Sequence, residues 1–127
     1  MVKEGLFYTR EHEWAKIEGE IAIMGITDYA QQQLGEITYA ELPKLEKQVQ
    51  QNDELGVVES SKSASDFYSP VAGKVTEVNG RLESQPELIN EDCYGEGWLC
   101  KFQLTSQKEL ENLMDAKKYE NFLKGLE

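Results

Sequence analysis

Trp98, Cys100, Phe102 and Leu104 alternate with Leu99, Lys101 and Gln103, the cleanest two-residue period in the chain. Successive side chains of an extended strand point to opposite faces, so this pattern specifies a strand with one apolar face. Shorter runs of the same kind precede it and are cut off by turn residues. Trp14 to Ile17 and Glu20 to Ile26 flank Glu18-Gly19, which reads as a tight hairpin turn. Ile21, Ile23 and Gly25 on one face, and Ala22, Met24 and Ile26 on the other, are all apolar or small. That is the mark of a strand covered on both sides. Glu36 to Leu42 ends at Pro43, and Lys74 to Val78 ends at Asn79-Gly80. With 127 residues there is room for one core and not for two. The expectation is a mainly β fold with minor α, one domain over residues 1–127.

The helical signals are few. Thr27 or Asp28 is placed to cap a short helix through Tyr29 to Leu34, stopped by Gly35. Ser84-Gln85-Pro86-Glu87 spells a capping box with proline in the first turn and predicts one helical turn over Pro86 to Asn90. Ser106-Gln107-Lys108-Glu109 spells a second box and opens a C-terminal segment over 106–126. Leu110, Leu113 and Met114, then Tyr119, Phe122, Leu123 and Leu126, recur there at helical spacing. One helix broken near Asp115, or two short ones, would pack these stripes on one side of the sheets.

Composition excludes several classes of function. Thirteen basic against 24 acidic residues leave a net charge of −11, which repels phosphate backbones and anionic lipid. The longest apolar run, Ile21 to Met24, is far short of the roughly 20 residues that span a bilayer. Met1-Val2-Lys3-Glu4 shows no secretory pattern, so a cytoplasmic location is expected. His12, Cys93 and Cys100 are the only His and Cys residues, short of the four ligands of a structural zinc site. No metal and no catalytic residue is expected. Cys100 and both tryptophans, Trp14 and Trp98, read as core.

One lysine stands apart. Lys62 lies in Glu59-Ser60-Ser61-Lys62-Ser63-Ala64-Ser65-Asp66, between the strand-like Gly56-Val57-Val58 and Phe67-Tyr68. The hairpin is expected over about 56–73, with the lysine among small side chains at its tip. Such a lysine is accessible to a modifying enzyme.

These motifs converge on a known family. The chain resembles the H protein of the glycine cleavage system, a lipoyl carrier. The resemblance runs from Tyr8 to about Tyr119 and rests on motifs in order. They include Tyr8-Thr9-Arg10-Glu11-His12-Glu13-Trp14, Gly25-Ile26-Thr27-Asp28-Tyr29-Ala30-Gln31, Glu59-Ser60-Ser61-Lys62-Ser63-Ala64-Ser65-Asp66 and Asn90-Glu91-Asp92-Cys93-Tyr94-Gly95-Glu96-Gly97-Trp98. The family usually has glycine near Glu46 and at Asn52, proline at Cys93, an apolar residue at Ser61 and alanine at Ser63.

The resemblance implies a lipoyl-domain-like barrel-sandwich hybrid. It implies one lipoic acid per chain, bound covalently through Lys62. The arm would carry the aminomethyl group of decarboxylated glycine from a PLP-dependent glycine decarboxylase to a tetrahydrofolate-dependent aminomethyltransferase. A dihydrolipoyl dehydrogenase would then reoxidise it, and lipoate-attaching enzymes would be further partners. The protein would be a monomeric carrier without turnover of its own. A lipoyl relay to 2-oxoacid dehydrogenase subunits is the alternative and uses the same hairpin. Glu13, Asp66 and the Ile26 carbonyl are implied to line a cleft for the arm, and Glu11 is expected to add a second carboxylate. Glu59 and Asp66, flanking the tip, are expected to be read by the ligase.

Overall fold

The computed structural model describes residues 1–126. Two antiparallel sheets face each other across the core in a barrel-sandwich arrangement. The larger has six strands in the order β1 (Phe7–Tyr8), β2 (Glu13–Glu18), β3 (Ile21–Ile26), β9 (Cys100–Leu104), β8 (Gly73–Val78) and β5 (Gln48–Val49). The smaller has three, in the order β4 (Ile37–Glu41), β6 (Glu54–Ser60) and β7 (Ala64–Tyr68). Among the described residues, no helix is long and apolar enough to cross a membrane.

β3 explains its two-sided pattern. Ala22 and Met24 enter the main core with Ile37, Val58, Phe67, Val75 and Phe102. Ile23 packs instead against a second cluster of Leu6, Tyr8, Trp14, Ala116 and Tyr119. That second cluster lies beneath helix α3 (Ala116–Lys124). α3 is held by a rung between Tyr8 and Met114, with N···O distances of 2.7 and 2.8 Å. The rings of Tyr8 and Tyr119 stack in parallel at 4.5 Å.

The first helix, α1 (Asp28–Leu34), forms where its caps predict. Thr27 is the capping residue: its hydroxyl accepts from the Ala30 N–H at 3.2 Å. Gly35 ends the helix at φ 83°, where a side chain is strained. The chain also breaks at Asp115, whose carboxylate accepts from the Lys118 N–H at 2.8 Å and starts α3.

Neither capping box forms. Ser84 follows a 3-10 turn over Gly80–Glu83, and α2 (Leu88–Glu91) starts later than expected, with no side-chain cap. Asn79 takes over the local satisfaction. Its carboxamide donates to the carbonyls of Glu96 and Trp98, each at 2.8 Å, and accepts from the Arg81 N–H at 3.3 Å. Ser106 bonds two residues ahead, to the Lys108 N–H at 3.1 Å. The tighter 3-10 turn Lys108–Asn112 results, where an α-helix was expected.

Two core assignments also differ. Trp98 is only partly buried, and Lys101 Nζ lies 4.9 Å from its ring centroid. The alternation holds over Cys100–Leu104 but fails just before it. Leu99 turns inward instead, donating to the Met24 carbonyl at 2.8 Å. Leu126 is 49% exposed and lies outside both clusters.

Asn52 adopts φ 76°, in the left-handed region, and its N–H donates to the Ser69 carbonyl at 2.8 Å. Asparagine tolerates this conformation, whereas alanine does not. Asn52→Ala is therefore expected to lose about 1 kcal/mol of unfolding free energy, and Asn52→Gly to lose little. Denaturant melts check this, and an Asn52→Ala protein as stable as the parent would contradict it.

Candidate functional site

β6 and β7 pair in register from Val57↔Asp66 to Glu59↔Ala64. That leaves Ser61 and Lys62 at the tip. The Ser60 N–H donates to the Ser63 carbonyl at 2.8 Å, while the Ser60 hydroxyl accepts from the N–H groups of Lys62 and Ser63 at 3.3 and 3.2 Å. Small polar residues thus satisfy the turn from within, and Lys62 is left exposed. Among the described residues, no carboxylate lies within ion-pair distance of Lys62. The stem of Lys62 passes over Gly35 at the end of α1, where a Cβ would come within 3.3 Å of Lys62 Cε.

Glu59 and Asp66 lie two rungs apart on the outer face of this hairpin, with Val58 buried between them on the other face. Glu59 is partly buried and Asp66 is exposed. Glu11, Glu13, Ile26 and Asp66 line one pocket between α1 and β7, with Leu34 and Phe67 among its apolar walls. The pocket is narrow, about 30 Å³. A neighbouring groove of about 340 Å³ shares Glu11, Ala30, Leu34 and Ser65 with it and is also lined by Ser63, the residue after Lys62. The tip and the carboxylates thus border the same face between α1 and β7.

Glu13 is the buried acid of the site, 2% exposed. Its carboxyl accepts from the Thr9 hydroxyl at 2.6 Å and from the Tyr68 N–H at 3.0 Å. Burial pushes its pKa up to about 7, the two hydrogen bonds oppose that rise, and the charge of Glu11 adds to it. Glu11 itself is exposed. His12, between them, has φ 69° and lies 4.5 Å from the Tyr29 ring. Desolvation lowers its pKa, with Glu11 acting in the opposite direction. Among the described residues no cluster of His, Cys, Asp and Glu is arranged to hold a metal ion.

Sequence reasoning missed the groups that hold these residues in place. Thr9 and the Tyr68 amide restrain Glu13, Gly35 clears the path of the lysine stem, and Tyr119 reaches in from α3. Thr9 is only four residues from Glu13, yet no local pattern marks that bond; the Tyr68, Gly35 and Tyr119 contacts join stretches distant in the chain. The one available signal was Gly35, placed where a helix stop was already expected.

Comparison with known proteins gives the same direction over the whole chain. Residues 6–126 match the family described as Glycine cleavage H-protein. The chain belongs to the glycine cleavage H-protein family. The glycine cleavage system H protein of Symbiobacterium thermophilum is 53% identical over 123 residues, covering 97% of this chain and 96% of that one. The corresponding protein of a Thermoanaerobacter species is 51% identical over 122 residues, covering 96% of each chain. The crystal structure of a glycine cleavage system H protein from Mycobacterium marinum superposes with a TM-score of 0.87 at 32% identity. It covers 94% of this chain and 97% of that one. Membership supports a lipoyl-carrier role in glycine cleavage.

The pKa of Glu13 has a thermodynamic consequence. Between about pH 4.5 and 7 the native protein keeps this proton while the unfolded chain has released it. The stabilisation is complete below about 4.5 and is lost as pH rises through about 7. Its full extent is up to about 3 kcal/mol. Unfolding free energy measured across that window should fall for the parent, and the fall should be smaller in Glu13→Gln. Identical pH slopes for the two proteins would contradict the assignment.

Proposed function

We propose that Lys62 is the attachment point of one lipoic acid per chain, and that this protein is the mobile carrier of a glycine cleavage system. The observation that carries the reading is an exposed lysine on a two-residue tip, next to a groove between α1 and β7 that shares Glu11, Ala30, Leu34 and Ser65 with the pocket of the buried Glu13 carboxyl. The residues fit the group. Amide formation joins Nζ to the lipoyl carboxyl with loss of water and removes the lysine's positive charge. Arginine at this position cannot be acylated in the same way. Bound lipoate supplies a disulfide that takes up the aminomethyl fragment of decarboxylated glycine and is returned as a dithiol.

The chain's own residues present, shelter and release this cargo. Ser60 holds the tip so that the arm projects into a partner's active site. Tethering replaces diffusion with a high local concentration at each docking. Between visits the groove between α1 and β7 receives the arm, and its apolar walls exclude water from the cargo. Glu13 would face the ammonium of a cargo held there, with Asp66 and Glu11 lining the same pocket. Its carboxyl would release its proton to solvent on pairing with that cation, since a paired carboxylate is favoured over a lone buried one. The partners are the PLP-dependent glycine decarboxylase, the tetrahydrofolate-dependent aminomethyltransferase, dihydrolipoyl dehydrogenase and the lipoate-attaching enzymes. Glu59 and Asp66 flank the tip where an attaching enzyme reads it. The carrier has no turnover of its own and works as a monomer.

Reconstitution with the three partner enzymes tests this. The lipoylated protein is expected to support glycine-dependent CO2 release and NADH formation. Lys62→Arg is expected to fold normally and to reduce both to background. Full activity in Lys62→Arg would contradict the reading. A lipoylated protein that failed here but donated its lipoyl group to 2-oxoacid dehydrogenase subunits would instead be a relay.

A further inference from the structure

Tyr119 lies on α3, away from the hairpin and outside the pocket. Its side chain is fully buried. The hydroxyl is hydrogen-bonded to Thr27 Oγ1 at 2.8 Å and to His12 Nδ1 at 2.8 Å. His12 stands between Glu11 and Glu13. Thr27 follows Ile26 and caps α1, which carries the walls Ala30 and Leu34. A phenol has one proton and two acceptor sites, so a single group can satisfy both neighbours at once. The two segments also meet directly through the Thr27 N–H and the His12 carbonyl, at 3.0 Å.

We propose that the Tyr119 hydroxyl is the positioning group of the arm pocket, fixing the 11–13 segment against the start of α1. This rests on the reading that the pocket receives the aminomethyl cargo. The hydroxyl is not what anchors α3. The Tyr119 ring stacks on Tyr8 at 4.5 Å, and the Tyr8–Met114 rung holds the chain just before the helix with N···O distances of 2.7 and 2.8 Å. The hydroxyl is therefore free to serve the pocket. Without it, His12 keeps its contact with Tyr29 and its backbone bond to Thr27 but loses the side-chain link that fixes its ring against Thr27. The 11–13 segment, already in a left-handed conformation at His12, can then relax and admit water to Glu13.

The test uses the full-length protein with Tyr119→Phe, which keeps the ring stack. Tyr8→Phe is the matched control, because it removes a buried hydroxyl from the same stack, one that donates to the Lys3 carbonyl and not to the pocket walls. The first readout is the Glu13 carboxyl titration by carbon NMR on unmodified protein. Glu11, Asp66, Tyr68 and His12 are retained around Glu13, and the one titratable group removed is the Tyr119 hydroxyl, whose pKa burial pushes far above this range. In Tyr119→Phe the Glu13 midpoint is expected to fall from about 7 toward the ordinary carboxylate range. Thr27→Val removes the same bond from the α1 side and is expected to lower the midpoint too. The second readout is the rate at which the cargo-loaded protein releases ammonia in isolation. It is expected to rise roughly tenfold, the equivalent of about one hydrogen bond, with Tyr8→Phe unchanged in both readouts. A midpoint unmoved in Tyr119→Phe and Thr27→Val overturns the inference, as does a shift of equal size in Tyr8→Phe. A lowered midpoint with unchanged ammonia release upholds the positioning role and refutes the pocket as the cargo site.

Discussion

The carboxyl of Glu13 joins the two sheets. It lies on β2 of the larger sheet and accepts the amide of Tyr68, the last residue of β7 in the smaller. The Thr9 hydroxyl occupies its other oxygen. A buried acid with two donors is satisfied as an acceptor and is still costly to ionise. The same group therefore ties the base of the hairpin to the body of the protein and leaves a latent negative charge facing a narrow pocket. The position of β7, and hence of the groove along it, depends on this contact.

From that contact the rest of the site follows. β7 and β6 carry the turn outward, and the Ser60 hydroxyl closes it without a bulky side chain. α1 forms the opposite wall, started by Thr27 and stopped by Gly35, where the lysine stem passes. α3 holds the far side of this arrangement through Tyr119. The hairpin and α1 thus border one groove with α3 behind them, and each is fixed by a polar contact at its edge with apolar packing behind it.

Much of this was legible in the sequence, for identifiable reasons. The strands announced themselves through alternation, and β3 through apolar residues on both faces, because burial on two sides leaves no polar position. The α1 cap at Thr27 or Asp28 and the stop at Gly35 were readable because caps are local chemistry; a break near Asp115 was expected, but its capping role was not. The capping boxes at Ser84 and Ser106 failed because the backbone found nearer partners. Asn79 satisfied the region before α2, and Ser106 bonded the Lys108 N–H in place of the Glu109 N–H of a capping box. Trp98 was misplaced because periodicity does not reveal where a strand begins. The tip position of Lys62 was expected from its small, polar neighbours, whereas a cleft lined by Glu13, Ile26 and Asp66, with Glu11 added, was implied only by the family resemblance. The partners of those residues were not, since the Tyr119 hydroxyl meets Thr27 across 92 positions and His12 across 107. Only folding creates that proximity.

The account stands or falls on the chemical state of one side chain. Peptide mass mapping of this protein isolated from cells that make it and have active lipoate attachment tests it most directly. The account predicts a single lipoyl increment, localised to Lys62. Protein carrying no increment, or carrying it on another lysine, would contradict it.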